Sequence, residues 1–210
     1  MIELLVVVAM VVLMMSLLLP ALSGWGSSAG RRGAVTMVMN TLEQARVAAL
    51  ESGQTVYVGF ADEDFPTLDM QYSAFLVFRD ATEEEKAAGG PNYVILKKWT
   101  RLPKNISFKR VANSMVPQTT ASTQFSGLGS SLPAALSDER FPHVAFTSSG
   151  SVQGGGLVPP LFIYEGYFAN GQDNFTRNAA EQSSSAGLFE KITISRYTGR
   201  VQLDVTVTGT

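Results

Sequence analysis

The sequence predicts an α+β fold in which a long apolar N-terminal helix, broken near Pro20 and the glycines after it, leads into an amphipathic helix packed on an antiparallel β-sheet head. Three observations predict it. Leu4–Leu19 is an apolar run without a charge, Ala34–Glu51 repeats apolar residues at helical spacing, and later segments alternate apolar with polar residues. The 210 residues have room for one globular domain and an accessory element. The expected divisions are 1–22 as a spanning helix, 23–33 as a glycine-rich hinge, 34–52 as the second helix and 53–210 as the head.

Counted from Ile2 to Leu22, the first helix is about 30 Å long, enough to cross a bilayer. Its acidic start and the poor cleavage match at Ala21-Leu22-Ser23 argue against a secretory signal. Glu3 is out of place in a plain anchor, because a carboxylate at full bilayer depth costs about 2.5–3.5 kcal/mol. A helix registered against an identical neighbour can offset that cost by pairing Glu3 with the neighbour's N-terminal ammonium. Pro20 removes a backbone donor and clashes with the preceding turn. Gly24 and Gly26 open a run of four glycines ending at Gly33, poor helix formers that predict a flexible joint. Arg31 and Arg32 fall where an anchor to anionic lipid would sit, or are simply solvated.

In the second helix Val35, Val38, Met39, Leu42, Ala45, Ala49 and Leu50 form an apolar stripe, read as core facing a sheet, and Gly53 is suited to a left-handed cap. Thr55–Phe60 reads as a half-buried strand. Further strands are expected at Ala74–Arg79, Tyr93–Leu102, Ile106–Val111, His143–Thr147 and Leu161–Tyr164. A final hairpin is expected from Lys191–Tyr197 and Arg200–Thr208 about a turn at Thr198-Gly199, with one wet face. Residues 113–140 and 168–187 read as long polar loops. Asp80–Gly90 is a charged connection or short helix, and Glu83, Glu84 and Glu85 read as a solvated face rather than a cation site.

With no cysteine, disulfides, thiolate zinc sites and cysteine nucleophiles are excluded. The single histidine, His143, makes a Ser-His-Asp triad or a multi-histidine metal site hard to build. No glycine-rich dinucleotide or phosphate-loop fingerprint occurs, so no cofactor is expected and the chain does not read as an enzyme. A net charge of −2 argues against a general nucleic-acid binder. The basic concentration is a weak patch of Lys191, Arg196 and Arg200, with Lys97, Lys98, Arg101, Lys104, Lys109 and Arg110 as further members.

The run IELLVVVAMVVLMMSLLLPAL resembles the start of mature type IV pilins and type II secretion pseudopilins: an apolar residue or two, a glutamate, an unbroken apolar helix, then a proline. Glu3 matches the family's glutamate and Pro20 its helix-breaking proline. LEQARVAALESGQTVYVGF resembles the helix-to-first-strand segment of the GspH/FimT class of minor pseudopilins, and FTSSGSV and ITISRYTGRV that class's two glycine-containing strand turns. YSAFLVFRD followed by KKWTRLP more narrowly resembles the Verru_Chthon cassette protein D family. The match covers 1–60, 70–110 and 140–210. It departs from the family in the glycine run and in the basic leader; the resemblance implies that Met1 is an internal methionine or that the chain is trimmed, in which case the methylated mature terminus would lie just upstream of Met1.

The resemblance implies a structural subunit, a minor pseudopilin, of a pilin-like or type II secretion filament. Glu3, Leu4, Leu5 and Val8 would make the inter-subunit contact, and Pro20, Gly24 and Gly26 the flexible link. Implied partners are other pilins, an inner-membrane assembly platform, a prepilin peptidase and membrane lipid. The chain would cross the bacterial inner membrane once, with its head in the periplasm or outside the cell. The alternative is a pilin-like binding module for DNA or a surface.

Overall fold

A computed structural model describes residues 7, 8, 10, 14, 25–63, 65–109, 141–154, 158–175 and 189–204. The elements are α1 (Trp25–Ser52), β1 (Val56–Phe60), β2 (Ala74–Asp80), α2 (Glu83–Ala87), β3 (Tyr93–Arg101), β4 (Ile106–Phe108), β5 (His143–Phe146), β6 (Leu161–Ala169), β7 (Gln172–Phe175), β8 (Phe189–Ile194) and β9 (Val201–Asp204). The strands form two antiparallel sheets, ordered β3-β2-β1-β5 and β4-β6-β8-β9, with β7 also paired to β6.

Helix α1 starts nine residues before the expected Ala34 and runs unbroken through Gly26, Gly30 and Gly33. The expected break over 23–33 is therefore corrected from Trp25 onward. Each glycine costs about 1 kcal/mol relative to alanine, but no proline interrupts the backbone ladder, and extension adds a hydrogen bond for each residue fixed. Packing then holds the turn, since Ala34 and Val35 are buried and Arg31 Nε lies 3.2 Å from a Glu190 carboxylate oxygen on β8. Pro20 and Gly24 lie outside the described residues.

The predicted stripe on α1 is the core stripe. Ala34, Val35, Val38, Leu42, Ala45 and Ala49 are buried against Val56, Val58 and Phe60 of β1, Val144 and Phe146 of β5, and Ile106, Phe108, Leu161, Ile163, Ile192 and Ile194 of the second sheet. One helix thus seals the inner faces of both sheets. Leu50 departs from the expected stripe: it is exposed and leans on the turn at Gly150.

Burial on the first sheet departs from expectation. Its outer face is covered by a second cluster of Ala61, Phe65, Ala74, Leu76, Phe78 and Phe141, flanked by Tyr57, Tyr93, Ile95 and Trp99. Tyr57 stacks on Phe78 at 5.0 Å while its hydroxyl donates to Asp80 at 3.3 Å, so a residue that reads as polar gives an apolar ring to this layer. Gly59 leaves room for the Phe141 ring, which a Cβ would strike. β1 is therefore buried on both faces. In the second sheet Gln202 and Asp204 of β9 are exposed as expected, but Leu203, expected on the covered face, is exposed too and Val201 is only half-buried, because β9 is the edge strand of its sheet.

Strand β7 lies in a stretch expected to be loop. Its polar sequence Gln172–Phe175 hides the pairing, which is held by Tyr164 Oη donating to Asp173 at 2.8 Å. Residues 113–140 and 176–187 lie outside the described residues.

Candidate functional site

The predicted assembly residues fall mostly outside the described residues: Glu3, Leu4 and Leu5 are among those not described. Val8 is described, and with Val7, Met10 and Met14 it is helical and 51–68% exposed. These four apolar side chains lie in the charge-free run. Among the described residues, no helix is long and apolar enough to cross a membrane.

The two glycine-containing turns expected near the C-terminus are brought together on the end of α1. In the first, the Thr147, Ser149 and Ser151 hydroxyls close a triangle of 2.8, 2.8 and 3.0 Å. The second, residues 195–200, is closed by Gly199 N donating to Ser195 O at 2.7 Å. Gly150 and Gly199 take positive φ of 76° and 62°, a conformation glycine adopts without steric cost. The turns are joined by Val152 N donating to Arg196 O at 2.8 Å. Helix α1 grips the second turn from below: Arg46 Nε donates to Thr198 O at 2.6 Å, and Val201 N donates to Glu43 Oε1 at 2.9 Å. Tyr197 stands out from this end, 85% exposed, with the Arg196 guanidinium 6.0 Å from its ring.

At the opposite end, the loop after β1 and the β6–β7 turn enclose a cleft of about 410 Å³ lined by Glu63, Leu68, Gln71, Phe168, Ala169, Asn170 and Gly171. Gln71 Nε2 donates to Glu63 O at 2.7 Å and to Phe65 O at 3.0 Å, fixing the loop. Phe168 packs on Tyr72 at 4.3 Å between ring centres. Leu68 is 77% exposed. Sequence reading singled out neither Leu68 nor Tyr197, because a lone apolar residue in a polar stretch carries no periodic signal.

The basic residues do not converge on one face. Lys191 pairs with Asp204 at 2.7 Å and Arg101 with Asp69 at 2.6 Å. Lys97 donates to Thr41 Oγ1 at 3.1 Å, while the adjacent Lys98 is an exposed side chain. Lys109 covers the Phe189 ring at 3.8 Å. Arg200 is exposed in the turn after β8, and Arg110 lies outside the described residues.

The acidic connection folds as α2, held by a capping box. Glu85 N donates to Thr82 Oγ1 at 3.2 Å, and Thr82 N donates to Glu85 Oε2 at 2.8 Å. Arg79 donates to both oxygens of the same carboxylate, at 2.7 and 2.8 Å. The Arg79 guanidinium and the Thr82 N–H together pull the Glu85 carboxyl down to about 2. Glu83 pairs with Lys86 at 2.9 Å. The Thr-x-x-Glu spacing of Thr82 and Glu85 was the available signal.

His143 is buried on β5, its Nδ1 3.3 Å from Phe141 O, and burial pushes its imidazole below the ordinary histidine range. Burial, reinforced by Asp80, raises the Tyr57 hydroxyl well above its usual value. Burial, reinforced by Asp173, does the same to Tyr164. These groups are tied into packing. Among the described residues no three acidic or imidazole side chains gather as a metal-binding group.

Among solved structures, the chain resembles the minor pseudopilin EpsH of the Vibrio cholerae type 2 secretion system, with 12% identity and a TM-score of 0.41 over 83% of this chain and 95% of that one. A second EpsH structure covers 88% of this chain and 99% of its own at 14% identity and a TM-score of 0.41. The Pseudomonas aeruginosa type IV minor pilin FimU aligns with 11% identity and a TM-score of 0.41, over 83% of this chain and 87% of FimU. No family model and no curated protein matches the chain.

Proposed function

We propose that this protein is a structural, non-enzymatic subunit, of the minor pseudopilin kind, in a pilin-like or type II secretion filament. In this reading it resides in the bacterial inner membrane, with its head on the outer side. A prepilin peptidase processes it, an assembly platform extracts it, and it then joins other pilins. The observation that carries the reading is the Leu4–Leu19 run, charge-free with Glu3 before it and Pro20 after it, whose described residues Val7, Val8, Met10 and Met14 are helical and exposed. An uncovered apolar helix needs lipid or other helices around it. A carboxylate beside it gains only where a neighbour supplies a positive partner.

In the same reading the buried α1 stripe fixes the head to the helix. The paired turns at the far end of α1 and the cleft at the near end are surfaces left for contact. The test is a Glu3→Val chain compared with the wild type in a host that assembles such filaments. Membrane insertion is expected to be unchanged, while incorporation into sheared filaments falls at least tenfold. Wild-type incorporation of the variant would overturn the reading.

A further inference from the structure

Leu68 and Tyr167 are large apolar side chains left 77% and 55% exposed, and the strand directions put both at the end of the head where α1 begins. Helix α1 passes Glu190 at Arg31 and Thr198 at Arg46, so it runs the same way as β8. Tyr197 follows β8 at the far end. On β6, which runs the opposite way, Ile163 is level with Glu190. From that level α1 extends six residues back, from Arg31 to Trp25, about 9 Å at 1.5 Å per residue. β6 extends five residues on, from Ile163 to Phe168, about 17 Å at 3.3 Å per residue. The β6–β7 turn therefore reaches past the start of α1, toward the side from which the chain enters the helix. Leu68 stands beside Phe168 and Ala169 across the cleft, and alternation from Ile163 puts Tyr167 on the face of β6 that α1 covers farther along. Lys104 is at the same level, because Asn105 O accepts from Gly166 N at 2.8 Å. It is exposed and has no ion-pair partner among the described residues. Around it Pro66-Thr67-Leu68 and the Asn170-Gly171 turn are uncharged, Asp62 is half-buried, Asp69 pairs with Arg101, and Glu63 accepts from Tyr72 Oη at 3.5 Å.

We propose that this end of the head docks on the lipid surface while the chain is in the membrane. Leu68 and Tyr167 enter the boundary between headgroups and acyl chains, and Lys104 meets lipid phosphates. The inference rests on the filament reading, which puts the charge-free run in a bilayer, and names what the head binds in that state. The reach of the turn selects lipid over a protein partner. The expected spanning segment ends at Leu22, with two residues between it and Trp25, so the bilayer surface falls at the depth that the turn reaches. One exposed apolar side chain needs no partner, but here two share a level with a cation. Tyrosine suits the place, because its ring lies in the apolar boundary while its hydroxyl stays among the headgroups. Lysine suits it because its stem lies along apolar surface while the ammonium reaches anionic lipid. The surface is already shaped, because the two Gln71 hydrogen bonds fix the Leu68 loop. Asn170 and Gly171, at φ 55° and 75°, make the other wall a tight turn, so little ordering is needed on binding. Drawing the helix out of the membrane then has to break this contact, which holds the head in one orientation until assembly.

The chain has no cysteine, so a single label can be placed at will. Full-length Leu68→Cys, Tyr167→Cys and Tyr197→Cys chains each carry an environment-sensitive dye and are reconstituted one chain per nanodisc. The lipid is an equal mixture of phosphatidylcholine and phosphatidylglycerol with nitroxide-bearing acyl chains. Quenching at 68 and 167 is expected to be at least threefold that at 197. Tethering alone brings the head near lipid, so a second set of variants separates docking from proximity. Leu68→Asp in the Tyr167→Cys chain, and Lys104→Glu in either chain labelled at this end, should each lower the quenching at least twofold. Lys104→Arg should keep it, and phosphatidylcholine alone should remove the effect of Lys104→Glu. Quenching no greater than at 197, or quenching that neither Leu68→Asp nor Lys104→Glu changes, would overturn the docking. So would labels that stay unquenched in the nanodisc yet become shielded when other pilin-like chains are co-expressed, which would assign the surface to a protein. A Val8→Cys label reads membrane insertion independently. Quenching at Val8 without quenching at 68 and 167 sinks the head contact and leaves the membrane reading standing. Quenching at 68 and 167 without Val8 does the reverse, and loss of both overturns both.

Discussion

Gly199 and Gly150 meet backbone to backbone: a Cβ on Gly199 would strike the carbonyl oxygen of Gly150. Two turns nearly fifty residues apart are thereby locked on the end of α1. Gly199→Ala combines this collision with a left-handed φ of 62°, which alone costs an L-residue about 1–2 kcal/mol. The expected loss is about 2 kcal/mol or more, read as a fall of roughly 4 °C or more in Tm. Gly171→Ala shares the positive φ but meets nothing within 4 Å, so its loss should be the smaller. Equal losses would refute the contact between the turns.

Glu43 supplies the acceptor for Val201 N at 2.9 Å on the outer edge of β9. Glu43→Ala leaves that half-buried donor without its acceptor, at a cost of about 1–3 kcal/mol. Amide exchange at Val201 should accelerate at least tenfold, while Ile163 in the core keeps its protection. Unchanged exchange at Val201 would show that the carboxylate is dispensable.

Acid should loosen α2 before the core. The Glu85 carboxyl is held down to about 2, against an unperturbed value of 4.5. Its stabilising effect is therefore fully present above about pH 4.5 and lost as pH falls toward about 2. Glu85→Gln should flatten the stability profile across that window and leave it unchanged near neutrality in slope. A wild-type profile in the variant would assign the acid sensitivity elsewhere.

Leu42 is fully buried where α1 faces both sheets. Leu42→Ala should cost about 2–5 kcal/mol, measured by chemical denaturation. Leu50→Ala, at an exposed position of the same predicted stripe, should cost far less. If the two were equal, α1 would not be the seal of the core.

Eight of the nine described strands were legible, β1 and the last hairpin by period-two alternation and others, such as β2 and β5, as short apolar runs buried along most or all of their length, and three- and four-residue steps located the buried face of α1. What escaped detection depends on partners outside the segment itself. β7 is polar, and its place comes from Tyr164 reaching Asp173. Residues 25–33 look like a joint because of their glycines, yet Arg31 meets Glu190 across the fold. The outer layer of the first sheet needs Phe141, about eighty residues from the Gly59 it covers. Of the candidate site, Glu3 and Pro20 were legible as a pattern in one segment. Tyr197 and Leu68 became visible only when the fold placed them at opposite ends.

Helix α1 is fastened at both ends to the same hairpin, by Arg31 to Glu190 and by Arg46 and Glu43 to Thr198 and Val201. Because α1 and β8 run the same way, a pull on the N-terminal end of the helix slides it along the sheets rather than lifting it away. Every buried side chain from Ala34 to Ala49 then resists at once, instead of giving way one after another.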